Sequence, residues 1–160
     1  PDGLLRNAGG AVKLRFYRPD EVADVWPDVA PLFERVVEKA VHGEFSVDDL
    51  FGLAKAGHIT VGLAREDDGE KTPVMALAFE FRRYPSATAV NVLAMGGRDL
   101  ARFMTRFLPP FAAFCKRAGA DWIECAVSPA MARMHSRYGF LPVYRNMRLD
   151  IRGETCRETC

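Results

Sequence analysis

The chain has 160 residues, of which 49% are hydrophobic and 27% charged, with a formal net charge of +1. That length suits one domain able to bury a sizeable core, and the composition excludes a disordered, collagen-like or disulfide-scaffold protein. The near-neutral charge argues against a nucleic-acid partner despite the many arginines, and no apolar run is long enough to span a membrane.

Residues 1–11 are rich in glycine and read as a loose N-terminal arm. Residues 12–17 alternate apolar and basic side chains and predict an edge strand. Asp20 is placed to N-cap a helix from Glu21, and Pro27 and Pro31 predict that this helix falls into two pieces. Ser46 and Asp49 form a capping-box pair at the start of a short helix that runs to Lys55 and ends at Gly57. A second strand over 58–65, a hairpin turn on Asp67-Asp68-Gly69, and a third strand over 73–84 follow. Residues 88–95, T-A-V-N-V-L-A-M, predict a fourth, central strand. After Gly96-Gly97 a long helix presents Leu100, Phe103, Met104, Phe107, Phe111, Phe114 and Cys115 on one face. Pro109-Pro110 predicts a kink or split near Leu108, and Gly119 closes the helix.

Residues 121–140, D-W-I-E-C-A-V-S-P-A-M-A-R-M-H-S-R-Y-G-F, are the organising stretch. A buried strand over 122–127 meets Ser128-Pro129, an N-cap followed by proline at the first helical position. Met131, Met134, His135 and Tyr138 then share one helix face, and Gly139 ends it. Residues 141–151 alternate as a last strand, and residues 152–160 form a polar tail. Cys115 and Cys125 sit in apolar patterns and read as core residues. Cys156 and Cys160 lie in the tail with no histidine nearby. Neither a disulfide framework nor a metal site is expected, which fits a reducing, cytoplasmic compartment.

This strand–helix unit resembles the last such unit of the GNAT acyltransferase superfamily, where a strand runs into N-x-x-A-x-x-L-Y-x-x-x-G-F. Ser128 stands in the Asn place, Met131 in the Ala place, Met134 in the Leu place and His135 in the Tyr place. The resemblance implies a single α/β (α+β) domain over 12–151, with a mixed, mostly antiparallel central sheet of about six or seven strands and four or five helices. It implies acetyl-CoA as cosubstrate and transfer of its acetyl group to an amine by direct attack. Coenzyme A would be held by Leu93, Met95, Gly96, Gly97, Arg98, Ala101, Ser128 and Arg133. Met95-Gly96-Gly97-Arg98-Asp99-Leu100-Ala101 stands where the family carries R/Q-x-x-G-x-G/A, lacks its spaced glycines, and adds Asp99.

His135 is the candidate general acid, with Tyr138 as an alternative, and Glu80 the candidate base, with Glu124 beside it. Each has a plainer reading: His135 as a partly buried histidine with one structural hydrogen bond, the glutamates as ion-pair partners of Arg82, Arg83 or Arg145, and the two glycines as a tight turn. Arg82, Arg83, Arg98, Arg102, Arg106, Arg133 and Arg137 form either a phosphate-attracting set or a solvated helix face. The departures from the family pattern leave a rival function open, a non-catalytic GNAT-like protein used for binding or assembly, as in some phage virion proteins. The acceptor amine is not named by the sequence, and a protein partner or a second copy remains open.

Overall fold

The computed structural model describes residues 4–6, 12–67 and 70–152. Its elements, in chain order, are β1 (Leu4–Arg6), β2 (Val12–Tyr17), α1 (Val22–Ala40), α2 (Val47–Lys55), β3 (Thr60–Glu66), β4 (Pro73–Tyr84), β5 (Ala87–Gly97), α3 (Leu100–Arg117), β6 (Trp122–Cys125) and α4 (Pro129–Ser136). Six strands lie in the order β1-β2-β3-β4-β5-β6. Neighbours pair antiparallel from β1 to β5, and β5–β6 is parallel. The architecture is therefore the expected mixed α+β one, with six strands and four helices.

The sheet separates two cores. On one face α1 and α2 bury Val22, Val25, Val29, Phe33 and Leu50 against Val61, Leu63, Ala76, Ala78 and Ala94. On the other, α3 packs Phe103 and Phe107 on Leu14 and Met75, and Phe111 and Cys115 on Leu77, Phe79 and Val90. Alternation along each strand does this sorting, because successive side chains point to opposite faces.

Several local expectations are overturned. Leu4–Arg6 pairs with β2, so part of the expected loose arm is the edge strand and β2 is internal. The strand expected to be central, now β5, is fifth of six. Pro27 and Pro31 do not divide α1, and its N-cap is Glu21 rather than Asp20. The two prolines are four residues apart on the solvent side, where water meets the carbonyls they leave unpaired. Burying Val22, Val25, Val29 and Phe33 at about 1.5–3 kcal/mol each offsets about 3 kcal/mol per interior proline. Likewise α3 runs unbroken through Pro109-Pro110, because Phe107 and Phe111 continue one buried stripe across them.

Residues 141–151 form no strand. They have no regular secondary structure and are exposed, with Arg148 donating to the His42 carbonyl and to Glu44 in the α1–α2 connection. A strand is made by its pairing partner, and alternation in the sequence names none. The α2 capping box is as expected: Ser46 Oγ accepts from the Asp49 N–H at 3.1 Å, and the Asp49 carboxylate accepts from the Ser46 N–H at 2.8 Å. The centre of the expected 67–69 turn, and Cys156 and Cys160, lie outside the described residues.

Candidate functional site

The β5–β6 ladder is short. It pairs Ala89 with Trp122 and ends at Val92 with Cys125. On its other side β5 stays paired with β4 to its end, but with a shift: Phe79 faces Val92 and Ala78 faces Ala94, so Leu93 is an extra residue. A bulge of this kind bends a strand and re-aims the residues beyond it. Past the bulge, residues 93–97 of β5 have no strand beside them on the β6 side among the described residues. β6 stops two residues short of expectation because Ser128 turns the chain into α4. Its Oγ accepts from the Met131 N–H at 3.3 Å, and Pro129 takes the first helical position. The two strands thus part at the Val92–Cys125 pair, leaving a notch with open backbone groups on β5.

The notch has two different sides. On the α3 face, Val92, Met95, Ile123 and Cys125 line a small apolar cavity with Met104 and His135. His135 is 6% exposed. Its Nδ1 lies 2.8 Å from the Met131 carbonyl, which can only accept, so Nδ1 carries the proton and Nε2 is the free nitrogen. Phe140 packs edge-on against the ring at 5.2 Å, and Gly139, with φ of 89°, makes the left-handed turn between them. Tyr138 donates to the Ala101 carbonyl at 3.1 Å and lies 3.3 Å from Thr105 Oγ1, tying the end of α4 to the first turn of α3. Burial, and then the Glu124 carboxylate, push the Cys125 thiol above its ordinary value; Cys125 is therefore a thiol rather than a thiolate nucleophile near neutral pH.

On the opposite face, one residue before the strands part, Glu80, Asn91 and Glu124 stand side by side across β4, β5 and β6. Glu80 Oε1 accepts from Asn91 Nδ2 and from Arg82 Nη2, both at 3.0 Å. Glu124 Oε1 accepts from Arg82 Nη1 at 3.1 Å and from the Tyr84 hydroxyl at 2.8 Å, while its Oε2 accepts from Trp122 Nε1 at 2.8 Å. The ion-pair reading of both glutamates is thus realised with Arg82, and Arg82 is drawn to carboxylates rather than toward a phosphate site. The side-by-side placing of Glu80, Asn91 and Glu124 was missed in sequence, because it depends on strand register.

The glycine junction differs from expectation. Gly96 and Gly97 belong to β5, and only Arg98 and Asp99 connect it to α3. A Cβ on Gly96 would lie 2.2 Å from the Leu32 carbonyl oxygen, and one on Gly97 2.4 Å from that of Val74. Both glycines are therefore required by close backbone packing. Asp99 caps α3, accepting from the Arg102 N–H at 3.0 Å, so its carboxylate occupies part of the helix N-terminus. Arg98 and Ala101 are exposed at this end and Ser128 and Arg133 are exposed at the start of and within α4, whereas Leu93 and Met95 are half-buried on β5. Arg102 pairs with Glu66 at 3.0 Å, and Nη1 of Arg106 is buried without a hydrogen-bond partner.

No protein-family model matches the chain, and no curated protein matches it. Solved structures do. A probable acetyltransferase superposes with a TM-score of 0.64 at 14% identity, covering 88% of this chain and 99% of its own. A predicted acetyltransferase from Clostridium acetobutylicum, solved with acetyl-CoA, gives 0.62 at 12% identity over 87% and 96%. An aminoglycoside acetyltransferase from an uncultured soil metagenomic sample, in complex with sisomicin, gives 0.57 at 13% identity over 87% and 97%. The chain has the GNAT-like fold of these acetyltransferases.

Proposed function

We propose that this chain is an N-acyltransferase that moves the acetyl group of acetyl-CoA to an amine. The observation that carries the reading is the notch where β5 and β6 part at Val92 and Cys125, with open backbone on Leu93–Gly97 and titratable groups on both faces. An extended pantetheine arm is a chain of amides, and the free N–H and C=O groups of a strand edge are its natural partners. The α3 N-terminus and Arg98 stand at the far end of β5, where the coenzyme's phosphates would lie.

With the thioester in the notch, the acceptor nitrogen attacks its carbonyl carbon from the face that carries Glu80. Glu80 takes the proton lost by the amine, through Oε2, the oxygen not bonded to Arg82 and Asn91. The tetrahedral intermediate collapses, the C–S bond breaks, and His135 on the other face protonates the departing thiolate from Nε2; the ring takes that second proton from solvent before the step and returns to its Nδ1-protonated neutral form after it. The products are an amide and free coenzyme A. A carboxylate row beside the stacked Tyr84 and Trp122 suits an acceptor that arrives as a cation.

Calorimetric titration with acetyl-CoA, and separately with coenzyme A, tests this. Micromolar binding weakened by Arg98→Glu is expected. Absence of binding at millimolar ligand by folded protein would overturn it. That result would favour the rival, a GNAT-fold protein kept for binding or assembly, for which the packed glycines and the Asp99 cap already speak.

A further inference from the structure

Where β5 and β6 part, the α3 face holds a cavity of about 30 Å³. Val92 and Cys125, the last pair of the ladder, line it from the sheet. Ile123, Met104 and Phe111 line it from β6 and α3, and His135 lines it from α4. Every lining side chain except His135 is apolar or a thiol. Cys125 keeps its proton near neutral pH, so it shapes the space without attacking what enters. Walls of this kind disfavour water and take an apolar guest.

The nature of that guest rests on the acyl-transfer reading of the notch. The amine reaches the carbonyl carbon from the face that carries Glu80, so the tail of the acyl group has to leave that face clear. As the nitrogen bonds, the carbon becomes tetrahedral. Its oxygen, sulfur and acyl carbon then bend away from the nitrogen, toward the α3 face and the cavity. The sulfur needs the proton of His135, and the oxygen needs N–H donors, which the open backbone of β5 offers. The acyl carbon is the one substituent with no polar requirement, and an apolar space suits it.

We propose that this cavity is an acyl pocket that fits a three-carbon acyl group, so that propionyl-CoA rather than acetyl-CoA is the best donor for this chain. Roughly 10–15 Å³ of such space admits one water-sized group, so about two fit. The second and third carbons of a propionyl group fill them. An acetyl group leaves one place empty, and a butyryl group brings a carbon too many for a packed wall. The transfer balances as it does for acetyl. A C–N bond forms and the C–S bond breaks, one proton passes from the amine to Glu80, and one reaches the thiolate from His135.

Calorimetric titration of the purified chain with acetyl-, propionyl- and butyryl-CoA tests the pocket. One more buried methylene should tighten propionyl-CoA about fourfold relative to acetyl-CoA, and butyryl-CoA should bind no tighter than propionyl-CoA. Val92→Ile adds one carbon to the wall and should abolish the propionyl advantage. Ile123→Val removes one and should make butyryl-CoA the tightest of the three. Both side chains are half-buried and change by a single carbon, so either variant alone carries the test. The readout is the ratio between esters within one protein, which a general loss of affinity does not move. Propionyl-CoA bound no tighter than acetyl-CoA, with acetyl-CoA still micromolar, would overturn the pocket and leave acetyl transfer standing. So would a propionyl advantage that survives Val92→Ile. Failure of all three esters to bind the folded chain would overturn the pocket and the acyl-transfer reading together.

Discussion

His135 donates its Nδ1 proton to the carbonyl of Met131 at 2.8 Å, one turn earlier in α4, and this single bond fixes the tautomer and leaves Nε2 as the nitrogen free to exchange a proton. A ring so held can pass a proton only through Nε2. His135→Ala should lower kcat by about 10²-fold or more with little change in KM for acetyl-CoA, measured as thiol release in the presence of an amine. It should also cost about 1 kcal/mol of stability through loss of the edge-on contact with Phe140. An unchanged kcat with that stability loss would leave the histidine as packing alone.

Glu80 and Glu124 share Arg82 but differ in what else they hold. Glu124 uses both oxygens on neighbours, whereas the bonds to Glu80 both fall on Oε1. Glu80→Gln should therefore reduce kcat by about 10²-fold or more, and Glu124→Gln much less. Arg82 and Glu80 are partly exposed, so the stability change for Glu80→Gln should stay within about 1 kcal/mol. Equal kinetic effects of the two substitutions would remove Glu80 from the role of base.

Gly96 is a packing residue wherever the coenzyme lies. Its missing Cβ makes room for the Leu32 carbonyl and Val36, so Gly96→Ala should lower the urea midpoint by the equivalent of about 1–3 kcal/mol, with or without ligand. Gly52, inside α2 with open space around it, provides the opposite case. Gly52→Ala should stabilise by about 0.4–1 kcal/mol in the same experiment.

The α2 capping box gives a pH dependence with a defined sign. The Ser46 backbone N–H and then its hydroxyl hold the Asp49 carboxyl below the ordinary value. A carboxyl depressed in the folded state binds its proton more readily when unfolded, so its contribution is present above about pH 4 and fades as pH falls through the lower folded value. Asp49→Asn should flatten the acid limb of a Tm-versus-pH profile and leave its shape near neutral pH unchanged. Ser46→Ala should cost about 1 kcal/mol at neutral pH. An acid limb identical to wild type in Asp49→Asn would show that the box adds nothing there.

Much of the fold was legible because the signals were local. Ser46 with Asp49 and Ser128 with Pro129 announce helix starts through bonds made within one turn. The stripe from Phe103 to Cys115 announces a helix whose buried face is written at a spacing of three and four. The prolines misled for the same reason. A breaker is read locally, but Pro27, Pro31 and Pro109 lie in helices whose buried faces decide the outcome. At the site, His135 was identifiable by its place on the α4 face, while its partner could be any carbonyl within reach.

By itself the sequence determined the element types from β2 to α4, the two helix caps at Ser46 and Ser128, and the candidacy of His135 and Glu80, because propensity, capping and periodicity act over a few residues; it missed strand β1 and expected one over 141–151. Tertiary structure alone decided the rest. It set the bulge at Leu93, the parting of β5 from β6 at Val92 and Cys125, the Glu80–Asn91–Glu124 row, and the need for glycine at position 96. It also left residues 141–151 without the strand partner their alternation calls for. Each of these is a relation between segments distant along the chain, and pairing register and backbone approach exist only once those segments have met.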